Sequence, residues 1–266
     1  MGYHIVVCAG IVPDPLQSLE PVMGPGGPGL KNEAMLPAVL DPWGAHALYE
    51  AAHLARQHAD SKVWLVSFAP KAKLQQVMMT IAQKVAFELV AIDGAAHGFT
   101  DASGVAATIA EAVAGIAGLD RSKLLLFGGW ESASRAAGAT LSMAGERLGI
   151  TDQFFGVDGI TVGADGSFEI LERVEGGQHQ VSNCGGPPAV FGWATGSLHE
   201  PANNPQLGMT NMRALIPALQ RAKAASPAPA GTFAGVAVPS QRRETRIVKD
   251  QSPDAIAKEI VEWIRQ

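Results

Sequence analysis

Residues 123–129, Lys-Leu-Leu-Leu-Phe-Gly-Gly, decide the fold. The four apolar residues that follow Lys123 end at a glycine pair, which is typical of a strand buried on both faces of a parallel sheet. A segment rich in small residues comes next and predicts a helix from about Ser134 to Leu148. The stretch therefore predicts one strand and one helix of an α/β sheet.

The same alternation precedes this stretch three times. Short apolar runs predict strands at residues 4–9, 63–68 and 87–92. Apolar residues at three- and four-residue spacing predict the helices that follow, near Pro42, Leu74 and Asp101, with Asp41 as the N-cap of the first. Four such repeats predict a doubly wound, mostly parallel Rossmann-like sheet with helices on both faces.

The alternation stops after Gly149. Three segments separated by glycine-rich turns predict an antiparallel extension over about residues 150–195, with a final strand at 187–193 that returns to the sheet. A loop is predicted at about 196–210 and a helix at about 211–223.

The domain boundary is predicted after residue 223. Residues 1–223 then form a single nucleotide-binding α/β domain, and residues 224–266 form an extended C-terminal arm that begins with an Ala- and Pro-rich linker. A terminal helix at Pro253–Ile264 carries Ile256, Ile260 and Ile264 on one face, and this face needs either the main domain or a partner subunit to cover it.

Composition excludes several classes of function. The formal net charge of −5 argues against nucleic-acid binding, which requires a basic face. Two cysteines, Cys8 and Cys184, are too few for a disulfide framework, and no Cys/His cluster indicates a metal site. No apolar run approaches the roughly 20 residues needed to span a bilayer, so we expect a cytoplasmic protein that is not membrane-spanning.

The loop after the fourth strand, residues 128–140, holds the main candidate site. Ligands of open α/β sheets bind beyond the carboxyl ends of the strands, and this loop offers glycines, three hydroxyl groups and Arg135 to an anion such as phosphate. A simpler interpretation is that Ser132 and Ser134 are helix N-caps. The residues alone favour neither interpretation.

Motifs of several enzyme classes are missing. Gly128-Gly129-Trp130-Glu131-Ser132 loosely resembles the pyrophosphate loop of adenylating ligases, but it follows the fourth strand rather than the first and lacks that loop's leading Ser and its Asp. The sequence contains no GxSxG elbow, no Walker loop, and no GxGxxG after the first strand. The sequence therefore carries the signature of none of these enzyme classes.

Short motifs along nearly the whole chain resemble the small (beta) subunit of electron-transfer flavoproteins. The opening Val12-Pro13-Asp14 is similar to that family's Val-Pro-Asp, and Leu40-Asp41-Pro42-Trp43 is similar to its Leu-Asn-Pro-Phe. Further similar motifs, in the family's order, are Ser67 to Pro70, Pro188-Ala189-Val190, Leu198-His199-Glu200-Pro201, Pro205-Gln206-Leu207 and Met212-Arg213-Ala214.

The resemblance implies a heterodimer with an alpha subunit that carries most of the FAD site. Such a pair accepts electrons from a dehydrogenase and passes them to an acceptor such as a membrane quinone oxidoreductase, while the beta subunit can hold an AMP. The loop that docks the dehydrogenase would carry Leu207 as its anchor, with Pro205, Met209 and Met212 beside it. Trp43 would lie near the flavin edge. The remaining cofactor-binding residues implied are Ala9, Asp41, Phe68, Gly128, Gly129, Ser132, Ser134, Arg135, Ala137, Gly138, Ala139 and Thr140.

The sequence departs from this family in the phosphate loop. The family's Asp-x-Asp-Thr-Gly-Gln is replaced by residues 133–138, Ala-Ser-Arg-Ala-Ala-Gly, and its Asn before the Pro-Phe pair is Asp41. Asp41 would repel a phosphate unless Arg135 compensates. AMP, a different nucleotide, a second FAD and an empty pocket all stay open. The alternative function is a free-standing homodimeric ATP- or AMP-binding signalling module of the same fold.

Overall fold

The computed structural model describes residues 2–24, 27–228, 231, 234–237, 239–240 and 247–265. Its centre is a nine-stranded sheet in the order β11-β10-β9-β12-β8-β1-β6-β7-β13. The nine strands are β1 (His4–Cys8), β6 (Lys62–Ala69), β7 (Glu88–Asp93), β8 (Leu124–Gly129), β9 (Gln153–Val162), β10 (Phe168–Val174), β11 (Gln178–Cys184), β12 (Ala189–Trp193) and β13 (Lys223–Ala224).

The pairing of these strands confirms the predicted fold class. All neighbours from β9 across to β13 are parallel, whereas β10 pairs antiparallel with both β9 and β11. The chain builds β6 and β7 on one side of β1 and then crosses to build β8 on the other side. Strand order therefore reverses at β1, which is where open α/β sheets bind ligands.

Six α-helices are present among the described residues, and five of them cover the sheet. They are α1 (Pro42–Gln57), α2 (Lys71–Ile81), α3 (Ala102–Ala114), α4 (Ala139–Arg147), α5 (Pro205–Gln220) and α6 (Pro253–Ile264). Alternation along β1 shows the two layers: Ile5 and Val7 pack with α1, α2 and α5, whereas Val6 packs with α3 and α4.

The first helix shows how sequence sets the local structure. The Asp41 carboxylate accepts a hydrogen bond from the Trp43 backbone N–H, and Pro42 occupies the first helical position, where its missing N–H costs nothing. Leu48 and Ala51 are fully buried in the core on the side of the sheet that α1, α2 and α5 cover. The start of α1 is therefore the one predicted, and it places Asp41 beside the carboxyl end of β1.

The chain segment between β1 and α1 forms two small two-stranded sheets. Strand β2 (Ile11–Pro13) pairs with β5 (Ala38–Leu40), and β3 (Pro21–Gly24) pairs with β4 (Gly27–Leu30). The second pair is antiparallel and comes from a stretch that is rich in Pro and Gly.

Two predicted helix starts are wrong. Helix α4 begins at Ala139 rather than Ser134, because Ala136 adopts a left-handed backbone (φ 50°) that interrupts a helix. Helix α5 begins at Pro205 rather than Asn211, because the Asn204 side chain caps it by accepting from the backbone N–H groups of Gln206 and Leu207. The predicted loop at 196–210 is therefore shorter and ends at Asn204.

The chain divides into compact units at residues 1–236 and 237–266, which moves the predicted boundary at residue 223. Residues just after 223 belong to the first unit because β13 pairs with β7 and Ala225 N–H donates to the Asp93 carbonyl. The second unit contains α6, at the predicted bounds. None of the helices in the described residues combines the length and the apolar character needed to cross a membrane.

Candidate functional site

A cleft lies at the carboxyl ends of the central strands. It is lined by residues that follow β1, by the start of α1, by the end of β6, and by the loops that follow β7 and β8. The cleft contains about 960 Å³ of atom-free space, part of which is open to solvent. The cavity volume that compares with the roughly 300–1,000 Å³ of ligand pockets is about 140 Å³, so the cleft is narrower than a typical ligand pocket and open at its mouth.

Asp41 joins two walls of this cleft. One carboxylate oxygen accepts from the Trp43 N–H at 3.2 Å, and the other accepts from the Ser132 hydroxyl at 2.8 Å and from the Ala133 N–H at 3.0 Å. The residue is only 5% exposed. Burial raises the pKa of Asp41, and hydrogen bonds from Ser132, Ala133 and Trp43 oppose that rise. Asp41 therefore holds the loop after β8 against the start of α1.

Glycine is required where this loop folds back on itself. A Cβ atom on Gly138 would lie 1.6 Å from the Trp130 carbonyl oxygen. A Cβ atom on Gly129 would lie 2.6 Å from the Trp43 Cβ, at the point where the loop leaves the sheet. Only residues without a side chain permit these approaches, so the shape of the loop is fixed by Gly129 and Gly138.

The start of α4 presents free backbone donors beside the cleft. Gly138 occupies the N-cap position and supplies no side-chain hydrogen bond to the first turn. Ser132 and Ser134 are therefore not N-caps: Ser132 donates to Asp41, and the two serine hydroxyls lie 2.8 Å apart. An uncapped helix start carries partial positive charge and suits an anion. Arg135, exposed at the cleft, adds a full positive charge.

The opposite wall is the loop after β7, which sequence reasoning missed. His97, Gly98 and Thr100 line the cleft there, and a Cβ atom on Gly98 would lie 3.2 Å from the Ser134 Cβ. The His97 Nδ1 accepts from the Phe99 backbone N–H, which leaves Nε2 as the protonated nitrogen of the neutral ring. The only available signal was the position of residues 93–94 at a strand end.

Most of the predicted cofactor-binding residues meet in this cleft. Those that line it are Ala9, Asp41, Phe68, Gly129, Ser132, Ser134, Arg135, Ala137, Gly138 and Thr140. Three others do not line it: Trp43, Gly128 and Ala139. Gly128 lies against the Cys8 carbonyl oxygen and Leu141, where a Cβ would have no room, and Trp43 packs along Gly129.

The charged residues that line the cleft are of both signs. Asp41 and Glu131 are acidic, and Arg135 is basic. Since Asp41 is already bound by three donors, its charge is partly satisfied within the protein. Among the described residues, no cluster of His, Cys, Asp or Glu has the geometry of a metal site.

The predicted partner-docking residues lie on a helix rather than a loop. Pro205, Leu207 and Met209 belong to the first turns of α5, where Met209 is 67% exposed and Leu207 is half-buried. Met212 packs against the core and is therefore a structural residue. The helix is fixed because the Asn211 side chain donates to the backbone carbonyls of Ala82 and Val85.

No family model and no curated protein matches this chain.

Proposed function

We propose that this chain is the nucleotide-binding beta subunit of a heterodimeric electron-transfer flavoprotein. One observation carries the proposal: Ala9, Asp41, Phe68 and the loop after β8, which are distant in sequence, line one cleft at the carboxyl ends of the sheet. These are the positions at which the resemblance to the family implies AMP. The chain itself is not a catalyst.

The chemistry of the cleft fits a nucleotide monophosphate. The backbone N–H groups at the start of α4, the Arg135 guanidinium and the Thr140 hydroxyl would hold the phosphate. The apolar side chains of Ala9 and Phe68 would face the base, while Asp41 keeps the loop in place. We prefer AMP to a second FAD as the ligand, because AMP has one phosphate group and Arg135 is the one arginine in the described lining of the cleft.

The proposed assembly places the electron-carrying FAD mainly on an alpha subunit. Trp43, half-buried at the start of α1 just outside the cleft lining, would approach the edge of that flavin. Electrons would come from a dehydrogenase and leave to a membrane quinone oxidoreductase or a similar acceptor. We place the pair in the cytoplasm.

An exposed apolar face supports the need for a partner chain. On α6, Ile256, Ile260 and Ile264 are 38%, 47% and 78% exposed, and Trp263 is 62% exposed. Ser252 caps the helix by accepting from the Ala255 N–H, so the helix has a defined start. A helix with an uncovered apolar stripe is stabilised by contact with another surface. We assign this contact to the alpha subunit.

Replacing Arg135 is expected to weaken nucleotide binding. An exposed charged hydrogen bond to phosphate contributes about 1.5–3 kcal/mol, so Arg135→Ala should reduce AMP affinity by about 10- to 100-fold. Calorimetric titration of the purified protein with AMP measures this. Arg213→Ala, an exposed arginine on α5 outside the cleft lining, is the matched control and should leave the affinity unchanged. Equal AMP affinity in both variants would place Arg135 outside the phosphate site.

Replacing Leu207 is expected to weaken docking of the dehydrogenase. A single apolar anchor at an interface contributes about 2 kcal/mol, so Leu207→Ala should slow electron transfer from the donor about 30-fold with flavin content intact. Steady-state reduction of the flavin by the donor dehydrogenase is the measurement. The adjacent exposed residue provides the control, Gln206→Ala. Loss of flavin from Leu207→Ala would instead show that this side chain supports the fold.

A further inference from the structure

Strand β7 has an edge that is only partly covered. It pairs with β6 along its whole length, from Glu88 to Asp93. On its other side, β13 pairs with Ile92 and Asp93 alone. Within the described part of the chain, residues 88–91 therefore have no strand partner on the outer edge. This edge is distinct from the nucleotide cleft, and the inference drawn from it does not depend on the proposed function.

The backbone groups on this edge can be identified from one hydrogen bond. The Asp93 carbonyl accepts from the Ala225 N–H at 2.8 Å, so the polar backbone groups of Asp93 point outward. Every second residue of a strand points the same way, so the N–H and C=O groups of Leu89 and Ala91 also face this edge. These are the donors and acceptors that an added strand would use.

A groove lies along the same edge. It contains about 1140 Å³ of atom-free space, part of it open to solvent, and is lined by residues of β7, α3, α5 and β13. Its walls include Leu89 from the strand, Ala112 from α3, Ile116 from the segment that follows α3, and Ala218 from the end of α5. Strand β13 closes the groove at the carboxyl end of β7. The groove opens between α3 and α5, along the outer edge of β7.

The two ends of the groove carry opposite charges. Lys223 pairs with Ile92 near the carboxyl end of β7, and Arg221, two residues before it in the chain, also lines the groove. Glu88 begins β7, and Glu111 lies in the last turns of α3, which runs back toward the amino ends of the strands. Glu88 accepts from the Trp64 indole N–H at 3.1 Å. In the described residues, the side chains of Glu111, Arg221 and Lys223 form no hydrogen bond or salt bridge.

We propose that this groove binds the extended C-terminal segment of a partner protein as an added strand parallel to β7. The terminal carboxylate would lie against Arg221 and Lys223, and β13 would block further extension. Four residues of strand, at about 3.3 Å each, reach from there to Glu88. A Lys or Arg three residues before the C-terminus would then meet Glu88 and Glu111, with small apolar residues between.

Charge decides the direction of this strand. In the parallel orientation, the carboxylate meets two cations and the basic side chain meets two carboxylates. In the antiparallel orientation, the terminal carboxylate would instead lie beside Glu88 and Glu111, and like charges would repel. The same polarity excludes a peptide with an acidic residue at its amino end.

The test is fluorescence polarisation with the full-length chain and the peptide fluorescein-Gly-Gly-Lys-Val-Ala-Val, which ends in a free carboxylate. We expect saturable binding, and at least about tenfold weaker binding of the C-terminal amide, since loss of one charge contact of about 1.4 kcal/mol has this effect. Arg221→Glu should weaken the free-acid peptide and abolish its advantage over the amide. The Arg221 side chain is exposed.

A matched pair of variants locates the peptide. Ala112→Phe fills the groove, whereas Ala114→Phe adds the same ring to an exposed position on the same helix outside the groove. Binding should be lost in the first and kept in the second, with circular dichroism confirming that both fold. The proposal is overturned if the peptide does not bind, if amide and acid bind equally, or if Arg221→Glu has no effect. The proposal is also overturned if the groove binds decanoate, an alkyl chain with a terminal carboxylate, and does not bind the peptide.

Discussion

Gly138→Ala is expected to abolish nucleotide binding and to destabilise the protein. The added Cβ would lie 1.6 Å from the Trp130 carbonyl oxygen, a backbone atom that cannot move without moving the whole loop. The φ of Gly138 is −88°, so the penalty comes from space rather than from backbone conformation. Relief of the clash requires the loop to leave Asp41, and we expect a loss of about 3 kcal/mol in the free energy of unfolding.

Calorimetric AMP titration and thermal unfolding together test this change. We expect AMP affinity to fall by more than about 100-fold, because Gly138 also forms the start of α4. Gly185→Ala is the matched control, since Gly185 is exposed and a Cβ there meets nothing within 4 Å. A Gly138→Ala variant that binds AMP like the control would show that the folded-back loop does not shape the site.

Asp41→Ala is expected to detach the loop after β8 from the start of α1 by removing the hydrogen bonds that hold it there. The substitution removes the acceptor for Trp43 N–H, Ser132 Oγ–H and Ala133 N–H, and leaves partly buried donors without a partner. An unsatisfied buried donor costs about 1–3 kcal/mol, so we expect a total loss of about 3 kcal/mol. The melting temperature of a chain of this size should then fall by about 10 °C.

Differential scanning calorimetry measures this effect, with Asp165→Ala as the control. Asp165 also accepts two hydrogen bonds, both from Ser167, but in an exposed turn. Asp41→Asn, which keeps one acceptor oxygen for Ser132 and Ala133, should recover part of the loss. If Asp41→Ala melts at the same temperature as Asp165→Ala, Asp41 does not anchor the loop.

The alternation of strands and helices could be predicted because it depends on local signals. Apolar runs such as residues 124–127 are buried on both faces of the sheet, and helix α1 begins at its Asp-Pro signal. Glycine-rich turns predict the antiparallel extension, and β9, β10 and β11 lie within the predicted range of about residues 150–195. In these segments, local preference and tertiary packing favour the same structure.

The wrong start of α4 is a place where a tertiary contact overrides local preference, whereas α5 begins at a local cap signal, Asn204-Pro205. The small residues after Ser134 favour a helix, but Asp41, 91 residues away from Ser132, holds this segment as a loop. At α5, Gly208 disfavours a helix by itself. Its lack of a Cβ lets the helix approach Gln83, because a Cβ would lie 2.7 Å from that side chain. Neither contact can be read from sequence spacing.

The candidate site could be predicted only in part, because some of its residues follow local rules and others meet only through the packing of two loops. The rule that ligands bind at carboxyl ends of strands found the loop after β8, and the resemblance added Ala9, Asp41 and Phe68, which line the cleft. The wall at His97 carries no motif, and its contact with Ser134 depends on how two loops pack. The docking residues lie on a helix rather than on the predicted loop because Asn204-Pro205 begins α5.

The central claim is that this chain is one half of a flavin-carrying pair, and affinity purification of the native protein tests it most directly. Subunit composition, the visible absorbance spectrum and the nucleotides released on heating are measured on the same sample. The account predicts an alpha-type second chain, a flavin spectrum of about one flavin per pair, and released AMP. A colourless homodimer that releases ATP would contradict it and would support a free-standing nucleotide-binding module.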